Sequence, residues 1–437
     1  MYSLLIANAT VVSADGRRRA SIAIDGEGRI ADIVADGAPI PSAHEVIDAA
    51  ELLVFPGVID EHVHFRDPGL THKADMVSES VAAIAGGVTT VFDMPNTAPQ
   101  TTTVEAWEAK MRMAAGRMST NYAFYLGATN DNIDELLRAD YSKIPSVKLF
   151  MGSSTGGMLV DKEDTLSRLF RNSPALIAAH CEDEALVRLG LEQAKAKYDK
   201  IPWRAHPEIR SEEACYRSSA LAASLARETG ARLHIMHLTT AREIELLGEN
   251  VTGEACIAHL WFTDEDYDRL GPLIKCNPSV KTEADRAALR KAVASGRIST
   301  VATDHAPHTL DEKTSRPYEF TPSGIPMIEH SLPLMLRMAD EGHWDYETVA
   351  RVMAESVADL YGLRERGHIR VGCYADLALV RRERWKVGDV HYKCGWSPVT
   401  GEEMSHRVVA TVVSGKVVYR DGEVVTEPSG RSVGFDR

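Results

Sequence analysis

The sequence predicts an α/β fold: a parallel (β/α)8 TIM barrel with a small β-sandwich domain formed by the N- and C-terminal segments. Three observations predict it. Eight short apolar runs fill the middle of the chain, amphipathic segments of helical length lie between most of them, and both chain ends are rich in strand patterns. Alternating short strands and helices are typical of a parallel barrel. The expected domains are residues 56–364 for the barrel and residues 1–55 with 365–437 for the β domain.

The eight apolar runs are the expected barrel strands. Helical segments separate most of them, as at 75–85 before Gly86 and at 211–229 before Gly230, and glycine after the last turn is a helix stop signal. A doubly wound open sheet is the rival fold, but no GxGxxG follows the first run. In chain order the runs are PGVIDEHVHF, TTVFDMP, YAFYLGAT, SVKLFM, ALIAAHC, RLHIMHL, VTGEACIAHL and STVATDHAPH.

Both chain ends read as short strands joined by turns. Residues 1–55 alternate apolar and polar positions and contain Asp-Gly pairs, which is typical of hairpins. Residues 365–437 show the same pattern, for example in RVVATVVSGKVVYRDGEVV. We therefore expect the two ends to pair into one small sheet beside the barrel.

Composition limits the partners of this chain of 437 residues. Lys+Arg 49 against Asp+Glu 63 gives 49 − 63 = −14, which argues against a nucleic-acid surface but leaves room for a small anionic substrate. Six cysteines without a CxxC pair indicate a reducing compartment. The first residues carry no basic region followed by a long apolar stretch, and no segment approaches ~20 apolar residues. The expectation is a cytoplasmic protein that binds neither nucleic acid nor membrane, as a homodimer.

Polar side chains stand at the ends of several predicted strands, where barrels of this kind carry their chemistry. His62 and His64 close the first run, and residues i and i+2 of a strand point to the same face, so both imidazoles can bind one metal ion. His180 ends the fifth run, His237 the sixth and Asp304 the eighth. Taken singly, each histidine could equally be a surface or packed residue. Together, imidazole and carboxylate groups predict a site for zinc or a similar divalent ion.

Lys148 lies inside the apolar fourth run, Ser-Val-Lys-Leu-Phe-Met. Burial and nearby metal ions would lower the pKa of its amine, and a neutral amine can react with CO2 to give a carbamate that bridges two cations. A lysine that snorkels to solvent is the alternative. Two bridged ions can share a hydroxide, with Asp304 taking its proton and passing it to the leaving nitrogen. This predicts hydrolysis of an amide-like bond.

These motifs resemble the cyclic-amidase branch of the amidohydrolase superfamily. The resemblance implies two Zn²⁺ ions, the first held by His62, His64 and Asp304, the second by His180 and His237. Lys148, as N6-carboxylysine, would bridge them. The matching segments are Pro-Gly-Val-Ile-Asp-Glu-His-Val-His at 56–64, Gly-Gly-Val-Thr-Thr at 86–90, Val-Lys-Leu-Phe-Met at 147–151, Ala-His-Cys-Glu at 179–182 and Thr-Asp-His-Ala-Pro-His at 303–308.

Within that branch the chain is similar to the dihydroorotases, which interconvert L-dihydroorotate and N-carbamoyl-L-aspartate in pyrimidine biosynthesis. Their H-x-H-x-R-(D/E)-P-G motif appears at 62–69, and Met-Pro-Asn-Thr stands at 94–97. By resemblance Arg66 and Asn96 hold the substrate carboxylate, and a planar guanidinium suits that group. Asn277 and His308 match further substrate-binding positions, and Thr155 is a candidate lid residue in a loop rich in glycine and hydroxyl groups.

The sequence departs from the dihydroorotase pattern in its outer pocket. That family usually has Asn-Pro-Pro-Leu-Arg where this chain has Asn-Pro-Ser-Val-Lys at 277–281, and Pro-His-His-Leu where this chain has Ile-Ala-His-Leu at 257–260. Three other functions remain open. One is a hydantoinase-, dihydropyrimidinase- or allantoinase-like cyclic amidase, which would lack the arginine at position 66. The second is a non-catalytic scaffold homologue, which would have lost metal ligands, and the third is a mononuclear deaminase, which would lack the bridging lysine.

Overall fold

The computed structural model describes residues 1–152 and 157–437. Its strands, in chain order, are β1 (Tyr2–Ser13), β2 (Gly16–Ile24), β3 (Ile30–Ala35), β4 (Ala43–Asp48), β5 (Leu52–Pro56), β6 (Val58–Val63), β7 (Val88–Asp93), β8 (Asn121–Phe124), β9 (Leu126–Gly127), β10 (Val147–Phe150), β11 (Ile177–His180), β12 (Leu233–Ile235), β13 (Val251–Cys256), β14 (Thr300–Ala302), β15 (Leu377–Lys386), β16 (Glu403–Val413), β17 (Lys416–Arg420) and β18 (Glu423–Val424).

The helices lie mostly between the strands of the middle segment. They are α1 (Met76–Ala85), α2 (Val104–Ala114), α3 (Ile133–Arg138), α4 (Glu163–Asn172), α5 (Glu184–Lys197), α6 (His206–Ile209), α7 (Glu212–Thr229), α8 (Ile257–Trp261), α9 (Tyr267–Leu270), α10 (Glu283–Ala294), α11 (Leu310–Thr314), α12 (Ser331–Asp340), α13 (Tyr346–Ala350) and α14 (Ser356–Tyr361). A π-helical segment, Arg351–Glu355, joins the last two.

Local sequence signals account for several helix ends. The Asp75 side chain accepts hydrogen bonds from the amides of Val77 and Ser78 at the start of α1, which satisfies donors that a first helical turn leaves unpaired. Ser211 caps α7 in the same way, and α7 ends at Gly230, whose φ of 76° is a left-handed conformation that favours glycine. The helices thus begin and end close to the predicted positions.

All eight apolar runs contribute strands to one parallel barrel, so the predicted fold class is confirmed. The third run forms two short strands, β8 and β9, and the seventh continues from β13 into α8. Strands β6, β7 and β8 are hydrogen-bonded neighbours, and β9 to β14 form a second series; the chain joins the two through Tyr125. The ring closes beyond β14, where Val63 bridges His305 and the His64 amide donates to the His305 carbonyl at 2.7 Å. The carboxyl ends of all the strands therefore meet at one rim.

Strands from both chain ends form one nine-stranded sheet beside the barrel, in the order β18-β17-β16-β15-β5-β1-β2-β3, with β4 paired to β1. The two ends meet where β5 runs antiparallel to β15, with Leu377 opposite Pro56. Ile6, Ile22 and Val412 belong to its buried apolar layer. Strand β5 continues into β6 across a single residue, so this sheet is attached directly to the first barrel strand. The domain boundaries at 55/56 and 364/365 remain a prediction.

An apolar cluster lies inside the barrel. Ile59, Phe92, Ala178 and Tyr361 pack together with full burial. Ile59 and Ala178 precede the histidines of their strands, so this cluster lies toward the amino ends. Polar side chains are buried there as well: the His234 ring lies 6.1 Å from the Tyr361 ring, and Glu61 is fully buried. Among the described residues, no helix combines the length and the apolar character needed to cross a lipid bilayer.

Candidate metal centre and substrate site

One cavity of about 300 Å³ opens at the carboxyl rim of the barrel. Ten of the eleven predicted site residues line it, although they come from seven separated segments of the chain. Thr155, the eleventh, lies outside the described residues. The ten residues are His62, His64, Arg66, Asn96, Lys148, His180, His237, Asn277, Asp304 and His308.

His62, His64 and Asp304 form the first cluster. Asp304 Oδ1 lies 3.3 Å from His62 Nε2 and 3.1 Å from His64 Nε2. Burial lowers the pKa of His64 to about 4, which leaves its ring neutral near pH 7. Burial by itself would raise the pKa of Asp304, but the two imidazoles outweigh it and hold that pKa below its usual range. Two imidazoles and one carboxylate thus converge on one point.

His180 and His237 form the second cluster. His180 Nδ1 lies 2.8 Å from His237 Nε2, and both rings are buried. Burial lowers the pKa of both rings, and for His237 the neighbouring His180 lowers it further. Two neutral imidazoles that present nitrogen atoms to the same point are suited to a divalent ion.

Lys148 is fully buried in β10 and lines the cavity together with both clusters. Its Nζ lies 3.0 Å from Met236 Sδ and 4.6 Å from the centroid of the Phe150 ring. Burial lowers the pKa of the amine to about 8, while the carboxylates of Glu254 and Asp304 oppose that shift. A partly neutral amine at the cavity wall is the state that carbamate formation requires.

Buried carboxylates orient the imidazoles from behind. Glu254 Oε1 accepts hydrogen bonds from His62 Nδ1 and from the His237 amide, both at 2.9 Å, so one carboxylate touches both clusters. Glu182 accepts from His180 Nε2 at 3.0 Å and is itself paired with Arg210 through both of its oxygens. Partners of this kind fix the tautomer of a metal-binding imidazole and the direction of its lone pair.

The donor set fits a pair of divalent ions. His62 and His64 direct Nε2 toward Asp304 because their Nδ1 atoms face Glu254 and Asn96 Oδ1, the latter at 2.9 Å. The three groups of the first cluster place one ligand atom each within 4.8 Å of one another. These residues could hold one ion, His180 and His237 a second, and Lys148 stands beside both pairs on the cavity wall.

Three site residues have a left-handed backbone that non-glycine residues rarely adopt. The φ angles are 64° at Arg66, 39° at His237 and 48° at Asp304. Each costs on the order of 1–3 kcal/mol and persists only where surrounding contacts impose it. Here the strain turns the strand ends, so that these side chains face the cavity.

Cationic groups line the side of the cavity next to the first cluster. Arg66 donates from Nε to the Pro307 carbonyl at 3.1 Å, and its Nη2 lies 3.1 Å from His308 Nε2. Burial lowers the pKa of Arg66 to about 10, so the guanidinium stays charged at neutral pH. On the same wall, the Oδ1 atom of Asn277 is buried without a hydrogen-bond partner among the described residues. A carboxylate and a neighbouring N–H donor on the ligand would satisfy both groups.

Sequence reasoning missed three contributors to this site. Glu254 was detectable, because a carboxylate inside the apolar seventh run is the same signal that singled out Asp304. Glu182 stands in a quoted motif, but its partner Arg210 is distant in sequence. Lys73 also lines the cavity, and its position in the loop between β6 and α1 gives no periodic signal.

The chain is similar to known proteins along most of its length. The profile of the Amidohydrolase family matches residues 53–418. A dihydroorotase of Halobacterium salinarum is 36% identical over 94% of this chain and 98% of its own. An allantoinase of Deinococcus radiodurans is 32% identical, with 98% of each chain covered. Among solved structures, an L-hydantoinase (dihydropyrimidinase) from Arthrobacter aurescens has a TM-score of 0.94 and 30% identity, covering 99% of this chain and 100% of that chain. These relatives are named for three different cyclic substrates.

Proposed function

The chain belongs to the amidohydrolase family, and among its cyclic-amide hydrolases we propose that it is a dihydroorotase. The observation that carries the proposal is Arg66, buried in the cavity wall with its guanidinium beside His308. Dihydroorotate bears a carboxylate on its ring, whereas the rings of hydantoin and allantoin carry none there. Among the described residues no carboxylate is hydrogen-bonded to this guanidinium, and a buried charged arginine in that situation favours a ligand that brings the anion.

The reaction adds water across one ring amide. The oxygen of water bonds to the ring carbonyl carbon, the carbon–nitrogen bond breaks, and the nitrogen takes up a proton, which gives N-carbamoyl-L-aspartate. Metal ions held by the two histidine clusters, Asp304 and the carbamate of Lys148 would supply a water of lowered pKa and a polarised carbonyl. Zinc is the proposed metal, because imidazole and carboxylate ligands suit it.

The side chains of this protein perform the remaining steps. Arg66 and His308 lie in contact, with Arg66 Nη2 3.1 Å from His308 Nε2, and together they would face the carboxylate of the substrate. Asn277 Oδ1 offers an acceptor to a ring N–H. Asp304 holds two imidazoles through Oδ1 and would carry the proton from the attacking water to the leaving nitrogen on its other oxygen.

A direct assay tests the proposal. Purified protein with its zinc content quantified should hydrolyse L-dihydroorotate faster than hydantoin or allantoin. Arg66→Ala should raise KM for dihydroorotate by about 10–100-fold, because it removes charge-assisted hydrogen bonds of roughly 1.5–3 kcal/mol. The KM of Arg66→Lys should lie between those of wild type and Arg66→Ala, because lysine keeps the positive charge and lacks the planar guanidinium. Unchanged dihydroorotate turnover in Arg66→Ala, together with faster hydantoin or allantoin hydrolysis, would overturn the assignment.

A hydantoinase- or allantoinase-like activity is the second candidate. It is favoured by the TM-score of 0.94 with an L-hydantoinase and by the coverage of the allantoinase relative. A non-catalytic scaffold would instead contain no zinc, although all six candidate ligands line the cavity here. A homodimer in the cytoplasm, with a small anionic substrate as its only ligand partner, completes the proposal; light scattering on the purified protein tests the dimer.

A further inference from the structure

Lys73 is a charged residue of the cavity wall that the reaction above does not use. Two successive turns bring it back beside Arg66: the Leu70 amide donates to the Arg66 carbonyl at 2.9 Å, and the Lys73 amide donates to the Leu70 carbonyl at 3.0 Å. The lysine side chain is only 11% exposed. The loop therefore holds a second cationic side chain in the part of the cavity that Arg66 lines.

The ammonium of Lys73 is placed against His308. Lys73 Nζ lies 3.0 Å from His308 Nδ1 and 3.0 Å from Glu312 Oε1. The ammonium of Lys73 and the guanidinium of Arg66 are both donors, and they contact opposite nitrogens of the ring, since Arg66 Nη2 lies 3.1 Å from His308 Nε2. Nδ1 also lies 3.5 Å from Glu312 Oε2, and Nε2 lies 3.1 Å from the Ser323 carbonyl. The His308 ring is therefore held between two cationic side chains.

The surroundings keep the His308 ring neutral. Burial lowers the pKa of His308 well below its usual value, and the charges of Arg66, Lys73 and Lys313 lower it further, against the opposing effect of Glu312. The backbone of His308 is fixed as well, because Trp396 Nε1 donates to its carbonyl at 2.8 Å. The His308 ring is therefore neutral and fixed in orientation, with Lys73 on one nitrogen and Arg66 on the other.

We propose that Lys73 is a positioning and specificity residue, which holds the His308 ring in place and adds a second positive charge beside Arg66 for a carboxylate-bearing ring. This inference rests on the proposed function. It assigns Glu312 the opposite part: its carboxylate balances Lys73 when no anion is bound and competes with the substrate for the ammonium. The pair thus tunes the affinity of the cavity for anions without entering the chemical step.

Two substitutions separate this role from a purely structural one, because they are expected to change KM in different ways. Lys73→Met should raise KM for L-dihydroorotate about 10-fold or more, with kcat within about threefold, because the interaction lost is equal in the ground and transition states. Glu312→Gln should leave KM unchanged or lower it, since the amide can still cap α11 where Glu312 accepts from the Thr309 amide. Lys73→Arg should restore most of the affinity.

The matched control is Lys393→Met. Lys393 Nζ is ion-paired with Asp75 at 2.6 Å and does not line the cavity, so its loss should leave KM unchanged. Zinc content and far-ultraviolet circular dichroism verify that each variant is folded. A KM within twofold of wild type in Lys73→Met, or equal increases in Lys73→Met and Glu312→Gln, would overturn the inference alone. Wild-type protein without dihydroorotate turnover would overturn the proposed function and this inference with it.

Discussion

Glu254→Gln tests whether one buried carboxylate organises both histidine clusters. Glu254 Oε1 accepts from His62 Nδ1 and from the His237 amide, each at 2.9 Å. Its other oxygen, Oε2, has no hydrogen-bond partner within the described residues, so the isosteric exchange breaks no second contact there. The substitution therefore removes the negative charge behind the two clusters and leaves the shape of the side chain unchanged.

The expected loss of zinc affinity in Glu254→Gln follows from these two hydrogen bonds. A bond to a charged acceptor contributes roughly 1.5–3 kcal/mol, and one to a neutral acceptor roughly 0.5–1.5 kcal/mol. The difference is about 1 kcal/mol for each bond and about 2 kcal/mol for both, which corresponds to roughly 30-fold in a dissociation constant. A bound metal ion makes the imidazole N–H more acidic, so most of the loss falls on the metal-bound protein. Outer partners of this kind typically change metal affinity 10–100-fold.

The assay is zinc affinity, measured by competition with a chromophoric chelator at fixed pH. Glu254→Gln should bind zinc about 10–30-fold more weakly while keeping its far-ultraviolet circular dichroism. Glu243→Gln is the matched control: Glu243 is also buried, accepts from Ser219 and Thr240, and does not line the cavity. Zinc affinity within twofold of wild type in Glu254→Gln, or an equal loss in Glu243→Gln, would refute the reasoning.

Three further predictions concern the buried charges. Lys148→Ala should lower kcat/KM for dihydroorotate by about 10³-fold, with partial recovery on adding a short-chain carboxylic acid, and wild-type rates in this variant would contradict the bridging role. With a pKa of about 8 in place of 10.5, the Lys148 amine is about 300-fold more often neutral near pH 7 than an ordinary lysine. Incorporation of ¹³CO2 into metal-free protein, measured at constant dissolved CO2, should therefore rise with a midpoint near pH 8. A midpoint near pH 10.5 would contradict the lowered pKa of Lys148. Arg210→Gln leaves Glu182 buried without its guanidinium and should cost about 3–5 kcal/mol in urea denaturation, whereas Lys197→Gln, at an exposed ion pair, should cause no measurable shift; equal shifts would contradict the argument.

The barrel was predictable because its signal is local. A short apolar run bounded by turn residues is sufficient to identify a buried parallel strand, and Gly86 and Gly230 mark helix ends without reference to the rest of the chain. Parallel barrels carry their site residues at the carboxyl ends of the strands, and this rule placed His62, His180 and Asp304 at one rim before any contact was known. The convergence of the candidate metal ligands could be predicted for this reason: these residues occupy equivalent positions on a repeating unit.

Side chains that lie in loops, or that orient the candidate metal ligands through hydrogen bonds, were not predictable in this way. Lys73 meets His308 only because two turns fold the β6–α1 loop back on itself, and Arg210 and Glu182 are 28 positions apart in the sequence. Asn96 illustrates a change of interpretation. The family resemblance implied a contact with the substrate carboxylate, which stays a prediction, and the structure places Asn96 Oδ1 on His64 Nδ1, where it orients a candidate metal ligand.

The sequence by itself determined the fold class, the order of the barrel strands and the residue types of the candidate metal centre, because apolar periodicity and strand-end position are properties of short segments. Only the tertiary structure decided which nitrogen of each histidine faces the cavity, that Glu254 touches both clusters, and that Lys73 and Glu312 enclose His308. These depend on distances between segments far apart in the chain, and the backbone strain at Arg66, His237 and Asp304 shows that the packed barrel, not local preference, sets those directions.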